Sequence, residues 1–158
     1  MQHVLRFEYA HKAQWGLLRS GRITPIPGDY PTTGSFVSAL DPASLAHLPE
    51  PTLALADVRL LAPVTRNQRF VCQGANYVQH MLDSGISPDD KRYNMIFTKA
   101  PSCIVPADHD VIRPQRVKLL DYEVELGLII KRDMTGPVHV HAGNLHEHVA
   151  GIVIVNDY

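Results

Sequence analysis

Two short apolar runs most constrain what this chain can build: Leu126-Gly127-Leu128-Ile129-Ile130 and Gly151-Ile152-Val153-Ile154-Val155. Both read as strands, since they are rich in residues that suit a pleated surface and too short for helices. The second is unbroken and reads as a fully buried central strand that needs neighbours on both sides. Directly before the first lies Asp121-Tyr122-Glu123-Val124-Glu125. If the strand extends back through this segment, Asp121, Glu123 and Glu125 share one face, and Tyr122, Val124 and Leu126 point toward a core. Neighbours on one face sit roughly 7 Å apart, so their carboxylates can converge. Two bare charges about 4–5 Å apart repel by roughly 3–4 kcal/mol at an effective dielectric near 20. A cation at the mouth of the strand relieves that repulsion. Asp157, at the end of the second run, is a further carboxylate in a position suited to catalysis. Hard carboxylate oxygens suit Mg²⁺, Mn²⁺ or Ca²⁺ rather than zinc. The competing reading is a solvated, charged strand edge that discourages aggregation.

Fifteen basic and sixteen acidic residues leave a formal charge of -1, which offers no electrostatic basis for binding nucleic acid or an anionic membrane surface. No apolar run approaches the roughly 20 residues needed to span a bilayer. The amino terminus carries charge where a signal peptide needs an apolar stretch. The expectation is therefore a cytoplasmic protein with Cys72 and Cys103 reduced, both packed in strand-like apolar runs.

The fold expectation is α+β, mainly β. Residues 1–63 read as a small, strand-rich N-terminal domain. Val4–Tyr9, Trp15–Leu18 and Arg22-Ile23 are strands, Ser20-Gly21 is a turn, and Pro25, Pro27 and Pro31 exclude a helix there. Ser35–Leu40 and Pro42–Leu48 are short helices, the second capped by Asp41. Val58–Pro63 is a strand leading to a linker. From residue 64 a second domain begins. Arg69–Gln73 is a buried-type strand, Asn76 caps a helix over Tyr77–Ser84, and Gly85 stops it. Ile86–Asn94 is a polar loop, Met95–Lys99 a strand, and Asn144–Val149 a helix. Because a domain rarely ends on a buried central strand, residues 64–158 read as incomplete, and the chain as the front part of a longer protein. An ordinary single domain with an appendage would run to about 220–300 residues.

Three further sets of residues can carry chemistry. His80 and Asp83 lie three apart on one helix face, where a carboxylate that orients an imidazole makes a general base; the alternative is an exposed pair without function. Lys99 ends a strand before a proline turn and can hold a substrate carboxylate or an oxyanion, or be an ordinary surface lysine. His139, His141, His146 and His148 invite a zinc reading, but His146 and His148 face different directions on a helix and no cysteine lies near. They are read as surface histidines.

Four segments in order resemble the fumarylacetoacetate hydrolase family: Gly74-Ala75-Asn76-Tyr77-Val78-Gln79-His80, Phe97-Thr98-Lys99-Ala100-Pro101-Ser102, Asp121-Tyr122-Glu123-Val124-Glu125-Leu126, and Asn156-Asp157. The resemblance implies a mixed β-sandwich or roll, incomplete here, behind the small N-terminal domain. It also implies that Glu123, Glu125 and Asp157 bind Mg²⁺ (or Mn²⁺ or Ca²⁺), with Asp121 beside the site but not on the metal. His80 matches the family's catalytic histidine, Asp83 falls where members carry an acidic partner, and Lys99 matches an active-site lysine. Tyr77–Asn94 corresponds to a lid over the substrate. Members act on oxo-acids, which points to C–C hydrolysis of a 1,3-diketo acid such as an acylpyruvate, or to decarboxylation, keto–enol isomerisation or hydration at the same site. The partners expected are a small oxo-acid and a second copy in a homodimer, with no nucleic acid and no membrane. The family's later motifs, including another lysine and a Gly-Thr turn, are absent. A molecule ending at Tyr158 is expected to have a broken sheet and little activity, and the alternative of another class is a non-catalytic metal-binding fragment or pseudoenzyme.

Overall fold

A computed structural model of the chain describes residues 2–158. They divide into two compact units, one running to Pro63 and including Pro106–Tyr158, the other Val64–Val105.

In the first unit, β1 (His3–Tyr9), β2 (Lys12–Arg19), β3 (Arg22–Pro25), β4 (Leu53–Ala54) and β5 (Arg59–Leu61) form one antiparallel sheet in the order β4-β3-β2-β1-β5. Two-residue turns join β1 to β2 and β2 to β3, and all four turn residues have positive φ: Ala10 and His11, then Ser20 and Gly21. This is the geometry whose twist matches paired strands, and Gly21 adopts it without a Cβ penalty. Nothing in Ala10-His11 signals a turn.

The sheet packs on α1 (Thr33–Ala39) and on a short 3-10 helix over Pro42–His47. Thr32 starts α1 with a capping box. The Ser35 backbone N–H donates to the Thr32 hydroxyl at 3.0 Å, and the Thr32 N–H donates to the Ser35 hydroxyl at 3.1 Å. As expected, Asp41 caps the second helix, accepting from the Ala43 N–H. Trp15, Leu17, Ile26, Phe36 and Leu45 make the core. Trp15 and Phe36 stack with ring centroids 4.1 Å apart, while the Trp15 indole donates to the Tyr30 carbonyl at 3.0 Å. The indole thus buries its apolar body without stranding its one donor.

The same unit contains a long hairpin, β8 (Glu123–Ile130) against β9 (Val149–Asp157), with α3 (Leu145–His148) leading into β9. β9 is not the fully buried central strand its composition suggests. Among the described residues it pairs with β8 alone, and its side chains alternate between half-buried and exposed. Val124 and Leu126, expected to face a core, are 66% and 56% exposed, because the described residues place no layer over that face. His148 is buried and not on the surface, while His139, His141 and His146 are exposed.

In the second unit, β6 (Val71–Gly74) pairs antiparallel with β7 (Met95–Thr98), and α2 (Val78–Asp83) lies between them in sequence. The helix cap is Tyr77, not Asn76, and no side chain bonds to the first turn. Gly85 ends α2 with φ +73°. Cys72 is half-buried and Cys103 exposed, so only the first fits a packing role. Among the described residues no helix is long and apolar enough to cross a membrane.

Candidate metal and acid–base site

The hairpin register sets the acidic face. Glu123 lies directly opposite Asp157 and Glu125 opposite Val155. Alternation along each strand therefore puts Glu123, Glu125 and Asp157 on one face, with Gly127 and Val153 farther along it. A Cβ on Gly127 would stand 2.8 Å from a Val153 methyl, so glycine lets the valine lie across β8 at this point. Directly opposed Cβ atoms are about 5 Å apart and diagonal ones about 7–8 Å, so all three carboxylates lie within reach of a shared ion. As the side chains lie, however, no three His, Cys, Asp or Glu groups among the described residues converge into a metal-holding set. Convergence requires the carboxylates to turn toward one another.

The strand does not extend back to Asp121. It starts at Glu123, and the Asp121 carboxylate accepts a hydrogen bond from the neighbouring Tyr122 N–H at 2.8 Å. A short aspartate closing such a local turn leaves the strand pattern, so Asp121 does not extend the carboxylate face. Asn156, quoted above only as part of a motif, has a structural task. Its side-chain Oδ1 accepts from the Glu123 N–H at 2.9 Å and its Nδ2 donates to the Tyr158 hydroxyl at 2.7 Å. This ties β8 to β9 at the carboxylate end.

The second unit supplies the remaining candidates. His80 and Asp83 are exposed on α2. The Asp83 carboxylate accepts from the Gln79 side chain at 2.8 Å, and no hydrogen bond joins it to His80. Gln79 and Asp83 are four apart, the spacing that brings side chains together on a helix surface, and this was the signal available for that partnership. Lys99 follows β7, is half-buried, and its N–H donates to the Phe70 carbonyl at 3.2 Å. Its side chain is not free.

Residues 69–158 match the fumarylacetoacetate (FAA) hydrolase C-terminal family, and residues 2–63 match the Rv2993c-like N-terminal family. Among curated proteins, a human mitochondrial protein named oxaloacetate tautomerase FAHD2A is 36% identical over 107 residues, 68% of this chain and 32% of its own length. The Bacillus subtilis oxaloacetate tautomerase YisK is 32% identical over 107 residues, 66% of this chain and 34% of its own. The chain thus aligns with about a third of the length of these relatives. Among solved structures, the fumarylacetoacetate hydrolase of psychrophilic Exiguobacterium antarcticum superposes with a TM-score of 0.68 at 30% identity, covering 99% of this chain and 56% of that one.

Proposed function

We propose that this chain, which belongs to the fumarylacetoacetate hydrolase family, is part of an enzyme that interconverts the keto and enol forms of a 2-oxo acid of the oxaloacetate type, with a divalent cation at the hairpin carboxylates. The observation that carries the metal part is the register: Glu123 opposite Asp157, with Glu125 on the same face. The hard oxygen donor set fits Mg²⁺ or Mn²⁺, and Glu123, Glu125 and Asp157 are the residues to hold it. Once bound, such an ion supplies positive charge for the oxygen that becomes anionic as the oxo-acid enolises. The chain's own side chains move the proton. His80, exposed and without a side-chain hydrogen bond among the described residues, is the base that takes it from the carbon next to the oxo group and returns it to oxygen. Asp83 takes part only by exchanging its Gln79 partner for the imidazole. Lys99 serves as the cation for a substrate carboxylate. The tautomerase relatives favour this reaction over others of the family.

The likeness to the Exiguobacterium enzyme favours a second reading, hydrolysis of a C–C bond in an acylpyruvate-like or fumarylacetoacetate-like acid by a water that His80 activates. One assay separates them. The chain is incubated with Mg²⁺ or Mn²⁺ and either enol-oxaloacetate, followed by loss of enol absorbance, or acetylpyruvate, followed by acetate release. Metal-dependent enol loss that Glu123→Gln abolishes is the expected result, and acetate release moves the conclusion to hydrolysis. Turnover that is unchanged in Glu123→Gln overturns the metal assignment. Turnover of neither substrate leaves the non-catalytic reading in place. The proposal includes a homodimer, checked by light scattering of the chain in solution.

A further inference from the structure

The second unit holds a recess of about 400 Å³ lined by Ala75, Met81, Ile86, Asp90, Lys91, Arg92, Tyr93 and Met95. That volume lies in the range of small-molecule sites. Specific bonds hold the walls. The Ile86 N–H donates to the Met81 carbonyl at 2.8 Å, folding the chain back as α2 ends. A 3-10 turn over Pro88–Asp90 follows. The Lys91 ammonium then reaches back to the Ala75 carbonyl at 2.7 Å, fastening this loop to the end of β6. Ala75 sits at φ +49°, a left-handed conformation unusual for alanine.

The lining is divided by chemistry. Met81 is buried at 3% exposure and, with Ile86 and Met95, offers an apolar surface. At the edge, Lys91 spends one of its three donors on a neutral carbonyl, and no carboxylate pairs with it among the described residues. Arg92 makes no side-chain hydrogen bond or ion pair among the described residues, leaving its whole fork of donors available. Asp90 contributes the one opposing charge, so the lining is net cationic by one. A net positive edge, with the Arg92 guanidinium free of any ion pair among the described residues, beside a methionine-lined hollow matches an amphipathic anion.

We propose that this recess binds a small organic carboxylate, its head group held by Lys91 and Arg92 and its carbon chain lying over Met81, Ile86 and Met95. The site goes beyond the reaction proposed above, because it needs neither the hairpin carboxylates nor His80. Its test therefore runs on metal-free protein. The full chain in EDTA is titrated with butanoate, hexanoate and octanoate, and with the corresponding primary amides, followed by amide chemical shifts. Affinity is expected to rise with chain length, the amides to bind about tenfold more weakly than the acids, and the shifts to centre on residues 75–95. Arg92 is exposed, so Arg92→Gln leaves the fold intact; it is expected to weaken carboxylates about fivefold and amides hardly at all. Asp90→Asn is expected to tighten carboxylate binding. Equal binding of acids and amides, indifference to chain length, or an Arg92→Gln protein that binds as the parent does would each overturn the proposal. Because no metal is present, none of these outcomes bears on the hairpin site.

Discussion

Replacing Glu123 by glutamine probes the carboxylate face in two opposite directions at once. Without a cation, Glu123 faces Asp157 at a Cβ separation of about 5 Å and Glu125 at roughly 7 Å. At effective dielectrics between 20 and 80, the nearer repulsion lies between about 3 and 1 kcal/mol. Glu123 is exposed and Asp157 already has a partner, so the lower end applies. The glutamine variant in EDTA should therefore be more stable than the parent by about 1 kcal/mol, a rise of roughly 2–4 °C in the melting temperature for a chain of this size. With metal the order reverses. A cation at 100 times its dissociation constant stabilises the parent by about 2.7 kcal/mol, and the variant, lacking one ligand, gains little of this. Thermal melts of both proteins in EDTA and in a Mg²⁺ or Mn²⁺ series measure the crossing. A variant that melts lower than the parent in EDTA, or shows the parent's full metal-induced rise, refutes the shared-face argument.

Four further outcomes follow from the same structure. His80→Ala should lower keto–enol turnover by about 100-fold or more with the metal-induced melting rise unchanged, since base catalysis contributes factors of that order; comparing kcat with the melt checks it. Phe36→Ala removes the ring stacked on Trp15 and should cost about 3–5 kcal/mol in a urea titration followed by Trp15 fluorescence. Replacing Ala10-His11 by Asn-Gly suits the positive φ at both positions and should add about 1–2 kcal/mol to stability in the same titration. Gly127→Ala should destabilise by about 1–3 kcal/mol in thermal melts, because the new methyl meets Val153 at 2.8 Å.

Local patterns were legible wherever one element determines its own geometry. The strand over Val4–Tyr9, the Ser20-Gly21 turn, the lack of a helix through Pro25, Pro27 and Pro31 and the Asp41 cap all appear as read, since each depends on neighbours within a few residues. The Ala10-His11 turn was invisible because the paired strands impose positive φ on residues that carry no turn signature. Burial was the least readable property. The run Gly151–Val155 has a core composition, yet composition cannot say how many neighbours a strand has, and β9 has one among the described residues. His148 fails in the other direction: its polarity argued for the surface, whereas its place at the α3–β9 junction buries it. For the site, spacing put Glu123 and Glu125 on one face. Asp157, 32 residues away from Glu125, joined them only through resemblance until the register gave it a physical place opposite Glu123.

That register also explains why the charges sit at one end of the hairpin. The segment joining β8 to β9 closes at Ile130 and Val149, where the pairing shifts at a bulge and the Lys131 N–H donates to the His148 carbonyl. The carboxylates occupy the opposite, open end, where a two-stranded ribbon is weakest. Apolar side chains from Leu126 to Ile130 and from Ile152 to Val155 fill the middle, and Asn156 fastens the open end through the Glu123 backbone. Like charges there favour separation of the strands, and the proposed cation, shared by Glu123 of β8 and Asp157 of β9, would turn the same residues into a clasp. On that proposal, ion binding and closure of the hairpin's open end would be one equilibrium, and the face presenting an oxo-acid to the ion would be the face whose order the ion maintains.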